Sequence, residues 1–369
     1  MAREPLPRGG TIGILGGGQL GRMLAQAAAK LGFRVCVLAP EEDSPAFAVS
    51  GAHIVAAYDD AEAFKALAAQ SDVVTFEFEN VSADALAILE GAARIAPPRR
   101  ALEVTQDRIL EKRFLDSLAL PTAPWKPVED AGALEGAFRS LGADDGRPMF
   151  LKLARQGYDG KGQLRLAGPA DLAGARDWLG GKTAVLEKAV PFEMELSIIA
   201  ARGADGAMVF YDVPRNVHRD GVLHESTVPA HVPAAIRSQA EDYARRIAVA
   251  LDYVGVLAVE MFLVGGEDGV RLLVNEIAPR VHNSGHWTIE ACAISQFENH
   301  IRAVAGWPLG ATHRHADARM INLLGEEVEA ALGLVRDNPA RSLHLYGKNE
   351  ARPGRKMGHY VELMPLSDG

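Results

Sequence analysis

The stretch that most restricts the fold is residues 11–30, TIGILGGGQLGRMLAQAAAK. Its apolar opening run, without polar alternation, reads as a strand buried on both faces, the kind found in parallel sheets. Glycines make the turn, and the apolar spacing that follows is helical. RVCVLA at 34–39, HIVAA and SDVVTFEFE at 71–79 continue the alternation, with an Ala-rich helical segment before the last. Strands alternating with helices predict a parallel sheet with helices on both faces. That unit ends near RIAPPRR, where prolines and arginines punctuate the chain.

The turn itself, Gly16 to Gly21, fits G-x-G-x-x-G, in which glycines let the backbone approach a phosphate at a helix N-terminus. It equally fits a tight strand-to-helix turn that binds nothing. A nicotinamide-dinucleotide site also wants an acid at the end of the second strand. Here that strand ends at Ala39-Pro40, with Glu41 and Glu42 just beyond, so the motif alone leaves a NAD-dependent oxidoreductase open.

A length of 369 residues implies two or three domains. The net charge of −9 argues against a protein that mainly holds nucleic acid, while leaving room for small anions at local Arg and Lys clusters. Cys36 and Cys292 both sit in apolar surroundings and read as buried free thiols in a reducing compartment. MAREPLPRGG lacks a signal-peptide pattern, and no apolar run is long enough to span a membrane, so the expected location is cytoplasmic.

Beyond the first unit, a helix is expected to begin near Thr105 as N-cap, with Leu110, Phe114, Leu115 and Leu118 on one face. A second helix (131–141), the strand PMFLKL, a glycine-rich loop and the strands QLRLA and TAVLEKAV follow. From 193 to 232 the pattern becomes strand pairs with turns, then a helix (233–251) and two apolar strands around GGEDG. The expected fold is α/β and α+β multidomain. A Rossmann-like domain (1–108) precedes a second domain (109–305) with a lid around 145–190, and a small β-rich domain (306–369) closes the chain.

Glu260 and Glu276 flank GGEDG almost symmetrically at an even separation, which predicts both side chains on one sheet face. Like charges in apolar strands need a cation, and a hard divalent ion such as Mg²⁺ with a polyphosphate suits two oxygen ligands. The alternative is one carboxylate paired with an Arg at a sheet edge. Lys152, in an apolar strand, likewise needs a phosphate or a carboxylate. The loop GYDGKG after it is not a P-loop, because Gly162 stands where Ser or Thr should follow Lys161. It reads either as an anion-covering loop or as a solvated hairpin.

Together these features resemble the ATP-grasp superfamily. GILGGGQLGRML, TFEFEN, QDRILEKRFL, PTAPW, FLKLARQGYDGKGQ, EKAVPFEMELS, NEIAPRVHNSGHWT and LYGKNEARPGRKMGH, in this order, resemble the N5-carboxyaminoimidazole ribonucleotide synthetase family. The resemblance implies an ATP-grasp fold after a Rossmann-like domain that binds the second substrate rather than NAD. It implies ATP-dependent carboxylation of aminoimidazole ribonucleotide by bicarbonate through carboxyphosphate, with ATP and two Mg²⁺ ions as cofactors, in a homodimer. Arg108 and Lys152 would contact phosphates, and Gly157, Tyr158, Asp159, Gly160, Lys161, Gly162 and Gln163 would form the lid. Glu187, Lys188, Ala189 and Val190 would lie along the adenine, Glu195 on the ribose, and His218 near the nucleotide. Glu260 and Glu276 would hold metal beside Asn275. Gln19, Leu20, Glu79, Tyr158, Asp159, Lys161, Arg280, Lys348 and Arg355 would surround the ribonucleotide, with His282 and Asn283 near bicarbonate. Catalytic roles would fall to Asp159, Lys161, Arg280, His282 and Asn283. The sequence departs from the wider superfamily at Glu276-Ile277-Ala278, where many members carry Glu-x-Asn. A formate-dependent glycinamide ribonucleotide transformylase of the same fold is the nearest alternative; PRVHNSGHWT favours the carboxylating family.

Overall fold

The computed structural model describes residues 4–142, 146–155, 157, 162–265 and 269–367. Among these residues the strands form three sheets. The first is parallel, with strand order Ala52–Val55, Arg34–Ala39, Thr11–Leu15, Val73–Phe76, Arg94–Ile95. The chain starts in the middle and builds outward both ways, so the order reverses between Thr11–Leu15 and Val73–Phe76. The C-terminal ends of those two strands, Gly16 and Glu77, therefore meet at the crevice where open α/β sheets place their ligands.

The second sheet is antiparallel, in the order Trp125–Val128, Ala184–Lys188, Met149–Leu153, Gln163–Leu166. Helices Ala133–Ser140 and Leu172–Leu179 bury Leu134, Phe138 and Leu179 against its Leu151, Leu166 and Leu186. This small layer carries Lys152 and Glu187.

The third sheet has nine strands. Arg271–Ala278 is at one edge, then Gly255–Val264, Met194–Arg202, Arg215–Arg219 and Val222–Val228. Alternate residues of Met194–Arg202 serve two cores, as the pleat requires. Ile198 and Ala200 pack with the helix Ala234–Ala250, while Ile199 and Ala201 pack with Gln296–Ala305. The C-terminal strands extend this sheet rather than forming one of their own: Asp317–Leu324 pairs with Val222–Val228, followed by Lys356–Met364 and Ser342–Leu345.

The helix Gln296–Ala305 also joins the first sheet to the third, since its Phe297, Ile301 and Val304 share a core with Ile12, Leu24 and Val35. Its His300 accepts from Val256 N–H at 3.1 Å through Nδ1, so Nε2–H donates to Thr75 Oγ1 at 2.8 Å. Burial drives the His300 pKa down to about 3, and the bridge is made by a neutral ring. Both cysteines are buried and unpaired. Among the described residues no helix is long and apolar enough to cross a membrane.

Candidate active site

Glu260 and Glu276 are direct cross-strand partners and so share a face. A bulge is what brings them together. Near the turn, Val264 pairs with Arg271 and Met261 with Val274, a register that would set Glu260 opposite Asn275. Asn275 is the extra residue, and absorbing it returns Glu276 to the face of Glu260. The displaced Asn275 carbonyl accepts from Lys112 Nζ at 3.0 Å.

Lys112 belongs to a helix whose start differs from expectation. Thr105 ends the preceding helix, Arg99–Thr105, and its hydroxyl donates back to Ala101 O at 2.9 Å. Asp107 is the true N-cap, accepting from Ile109 and Leu110 N–H at 3.0 and 3.3 Å, and the helix runs Arg108–Ser117. The buried face carries Ile109, Glu111, Lys112 and Leu115, whereas Leu110 is exposed. Tertiary partners for charge, rather than leucine spacing, chose the face. Arg108, Lys112 and Leu115 stand at helical i, i+4, i+7 spacing, a pattern that could have revealed it.

The charges on this face are compensated in detail. Arg108 donates to Glu276 at 3.1 Å and to the Gly157 carbonyl at 3.4 Å. Glu187 lies between Lys152, at 2.7 Å, and the wholly buried Lys112, at 3.2 Å. Burial would raise the Glu187 pKa, but Lys112 and Lys152 outweigh it and hold the carboxyl well below its usual range. Of the two partners expected for Lys152, the protein itself supplies the carboxylate. Glu111 accepts Ile277 N–H at 2.7 Å, and burial pushes its pKa up to about 7, with the Arg108 cation opposing and Glu276 adding to the rise. Lys188 donates to the Leu141 and Gly142 carbonyls at 3.1 and 2.7 Å, at the end of the helix Ala133–Ser140. Ala189 N–H is bonded to Pro148 O, and the Val190 carbonyl accepts from Phe192.

On the sheet side, His282 Nε2 lies 3.1 Å from Glu260 Oε1. Burial opposes ionisation of Glu260, and the His282 hydrogen bond overcomes it, keeping the carboxyl below its ordinary range. His218 Nδ1 meets Glu195 at 2.6 Å; burial alone would lower the His218 pKa, and Glu195 raises it. The Asn283 carboxamide makes reciprocal bonds with Asn322, so it faces the C-terminal strands. Gln296, which the sequence did not single out, clamps both backbone groups of His282, accepting its N–H at 2.9 Å and donating to its carbonyl at 2.6 Å.

Arg280 grips Glu79 with two guanidinium bonds, a planar fork on a carboxylate. Neighbouring Glu77 fills the crevice at the end of the first sheet. Its carboxylate accepts from Gly18 N–H and, at 2.6 Å, from Gly21 N–H. It thus occupies the place at the N-terminus of the helix Gln19–Lys30 where a dinucleotide would put its pyrophosphate. The glycines make room for this internal anion. A Cβ on Gly18 would lie 2.6 Å from Glu77 Oε1, so Gly18→Ala should lower unfolding stability by about 1–3 kcal/mol. A denaturation midpoint equal to that of the parent protein would contradict the packing. Leu20 is buried and Gln19 half-buried beside this loop. Lys348 donates to Lys356 O at 2.7 Å and lies near enough to Glu77 to lower its pKa, although burial, the larger effect, raises it. Arg355 donates to Glu350 O at 2.9 Å, on the outer side of the same C-terminal segment.

The structure thus brings Arg108, Lys152, Glu187, Asn275 and Glu276 together, with Glu260, His282, Glu195 and His218 across the sheet face. Tyr158, Asp159, Gly160 and Lys161 lie outside the described residues. Gly162 has φ +73°, and Gln163 pairs with Lys152. The donor set of Glu260 and Glu276 fits a hard cation. Among the described residues no group of three or more candidate metal ligands gathers. Two carboxylates without a closed cage suit an ion that shares its remaining positions with phosphate and water.

Comparison with known proteins gives three matches along the chain. A ribonucleotide synthetase preATP-grasp domain matches residues 10–106, an ATP-grasp domain 113–297, and a phosphoribosylaminoimidazole carboxylase C-terminal domain 318–363. An N5-carboxyaminoimidazole ribonucleotide synthase of Brucella melitensis is 50% identical over 367 residues, covering 99% of each chain. The Bacillus subtilis protein of the same name is 43% identical, over 100% of this chain and 95% of its own. A crystal structure of such a synthetase with ADP superposes with a TM-score of 0.93 at 44% identity, covering 98% of this chain and 94% of that one. An Aspergillus clavatus N5-carboxyaminoimidazole synthase in complex with ADP and 5-aminoimidazole ribonucleotide gives 0.89 at 34% identity, covering 97% and 94%.

Proposed function

The chain belongs to the N5-carboxyaminoimidazole ribonucleotide synthase family of ATP-grasp ligases, which carries out ATP-dependent carboxylation of aminoimidazole ribonucleotide in purine biosynthesis, and from that premise we propose how its residues divide the work. The observation that carries the proposal is the bulged pair Glu260–Glu276, with Arg108 on one carboxylate and His282 on the other. Bicarbonate is the carbon source, and the γ-phosphoryl group of ATP converts it to carboxyphosphate, whose carbon an amine can attack. Phosphoryl transfer depends on positioning and on neutralising charge spread over the phosphoryl oxygens. Arg108 and Lys152 supply that positive charge, each already steadied by a carboxylate, which limits reorganisation during reaction. Glu260 and Glu276, beside Asn275, would hold Mg²⁺, two ions. When bound, the metal supplies charge neutralisation at the phosphates.

Glu187 to Val190 line the adenine, Glu195 and His218 the ribose side, and the 157–163 loop covers the triphosphate and keeps water from the intermediate. Arg280, Gln19, Leu20 and Glu79, with Tyr158, Lys348 and Arg355, cradle the ribonucleotide, Lys161 approaches its phosphate, and Asp159 assists removal of the amine proton. His282 faces the bicarbonate end, and Asn283, its carboxamide held by Asn322, supports that end from behind. We divide the chain into three units, 1–108, 109–305 and 306–369, the last two sharing the third sheet. Family likeness supports a homodimer in the cytoplasm.

Two tests address these roles. With ¹⁸O-bicarbonate, one labelled oxygen should appear in the phosphate released, and unlabelled phosphate would refute the carboxyphosphate route. Lys348→Ala should raise the KM for the ribonucleotide about tenfold through loss of a charged phosphate contact. An unchanged KM would remove Lys348 from that site. The oxidoreductase alternative loses its support at Glu77, which fills the pyrophosphate position. The carboxylating names of the relatives stand against the formate-dependent alternative.

A further inference from the structure

Behind His282 the interior holds a continuous row of small polar side chains that none of the roles above uses. Ser197, Ser226 and Ser284 are fully buried and Asn216 nearly so. Ser226 Oγ lies 2.7 Å from Asn216 Oδ1, and Asn216 Nδ2 lies 3.0 Å from Ser197 Oγ. Ser197 Oγ is 2.7 Å from Ser284 Oγ, which is 2.8 Å from His282 Nδ1. The row comes from four segments: strands Met194–Arg202, Arg215–Arg219 and Val222–Val228, and the turn after Arg271–Ala278. Buried hydroxyls at such a junction cost stability unless each is satisfied, so their presence in a sheet of valines and isoleucines calls for a reason.

Both ends of the row fix its polarity. At the far end of the ring, Glu260 is a carboxylate 3.1 Å from Nε2, so Nε2 carries a proton and donates. At the near end, Ser284 N–H, which can only donate, points at Nδ1 at 3.3 Å, so Nδ1 is the unprotonated acceptor. The hydroxyl of Ser284 then donates to Nδ1 and accepts from Ser197. Ser197 in turn accepts from the Asn216 amide, whose carbonyl oxygen takes the Ser226 proton. In this order every proton of the row finds an acceptor, and reversing any one link leaves two donors or two acceptors face to face.

We infer that this relay makes Ser284, Ser197 and Asn216 positioning residues: they hold His282 with Nδ1 saturated and Nε2–H aimed at Glu260, and thereby set how efficiently carboxyphosphate is used for carboxylation. The inference rests on the proposed function. An orienting bond on the remote nitrogen of a histidine that touches a metal-binding carboxylate is the way outer residues usually tune such a site. A ring free to tilt would loosen both Glu260 and the bicarbonate end. Carboxyphosphate that then meets water returns bicarbonate and phosphate, so ATP is consumed without formation of the N–C bond.

The test uses the full-length protein and its Ser197→Ala and Ser284→Ala variants, neither of which alters a group expected to touch substrate. Carboxylated ribonucleotide formed per ADP released should fall about threefold to tenfold in both, the scale of one lost buried hydrogen bond. Partial unfolding would lower both rates together and leave this ratio unchanged. In ¹⁵N-histidine spectra of the parent protein, the His282 ring, assigned by its loss in His282→Asn, should show protonated Nε2 and unprotonated Nδ1. The Nδ1 resonance should move downfield in both serine variants. A parent ring protonated on Nδ1 overturns the relay even if the variants fail to fold, and an unchanged product-to-ADP ratio in folded variants overturns its role in coupling. A parent protein that forms no carboxylated product refutes the function itself and takes the coupling role with it, an outcome distinct from a normal parent with fully coupled variants.

Discussion

Glu276→Gln should lower kcat for ADP formation at least about a hundredfold while leaving the fold intact. The amide keeps the shape of the carboxylate but loses its charge. It thereby weakens the Glu260–Glu276 pair as a hard-cation site and deprives Arg108, 3.1 Å away, of its hydrogen-bonded carboxylate. Structural damage should be small, because Glu276 is partly solvent-exposed. The two consequences separate experimentally: raising Mg²⁺ should recover part of the lost rate if metal affinity is the defect. Near-normal turnover at ordinary Mg²⁺ would remove Glu276 from the metal site.

Glu187→Ala is the change with the largest expected cost to stability, about 3–5 kcal/mol, because it strands two ammonium groups. Lys112 has no solvent exposure and Lys152 little, so neither can turn to water for compensation. The Glu187 pKa is depressed in the folded protein, so the native state binds fewer protons there than the unfolded chain does. Its stabilising contribution is therefore complete above the ordinary carboxylate range of about 4.5 and is lost as pH falls below it. Denaturant unfolding at neutral pH and near pH 3 should show a large gap between parent and variant at the first and a narrower one at the second. A gap that is small at neutral pH would mean that the lysines find other anions.

What could be read beforehand follows from how local each feature is. The first domain was legible because parallel strands buried on both faces are plain apolar runs, and TIGIL, RVCVLA and DVVTF are such runs. The Glu260–Glu276 pairing was anticipated from its symmetry about the turn. The hairpin actually leaves that turn one residue out of register, and the bulge at Asn275 restores it. Nothing local marks the bulge: its cause is the carbonyl contact with Lys112, on a helix remote in sequence. The same helix misled the apolar pattern, since Glu111 and Lys112 are buried by partners on other elements and Leu110 is turned outward. The glycine turn could not declare its purpose either, because the anion at its helix is Glu77, which arrives from another strand. The continuation of the third sheet through Asp317–Leu324 depends on edge pairing with Val222–Val228, a long-range choice that composition does not encode.

The most direct test of the function is ADP release from MgATP and bicarbonate, measured with and without 5-aminoimidazole ribonucleotide, alongside ¹³C-bicarbonate incorporation into the ribonucleotide. Release stimulated by the ribonucleotide, with one labelled carboxyl group per ADP, is the predicted result. ADP release that ignores the ribonucleotide, or that leaves it unlabelled, would contradict the assignment.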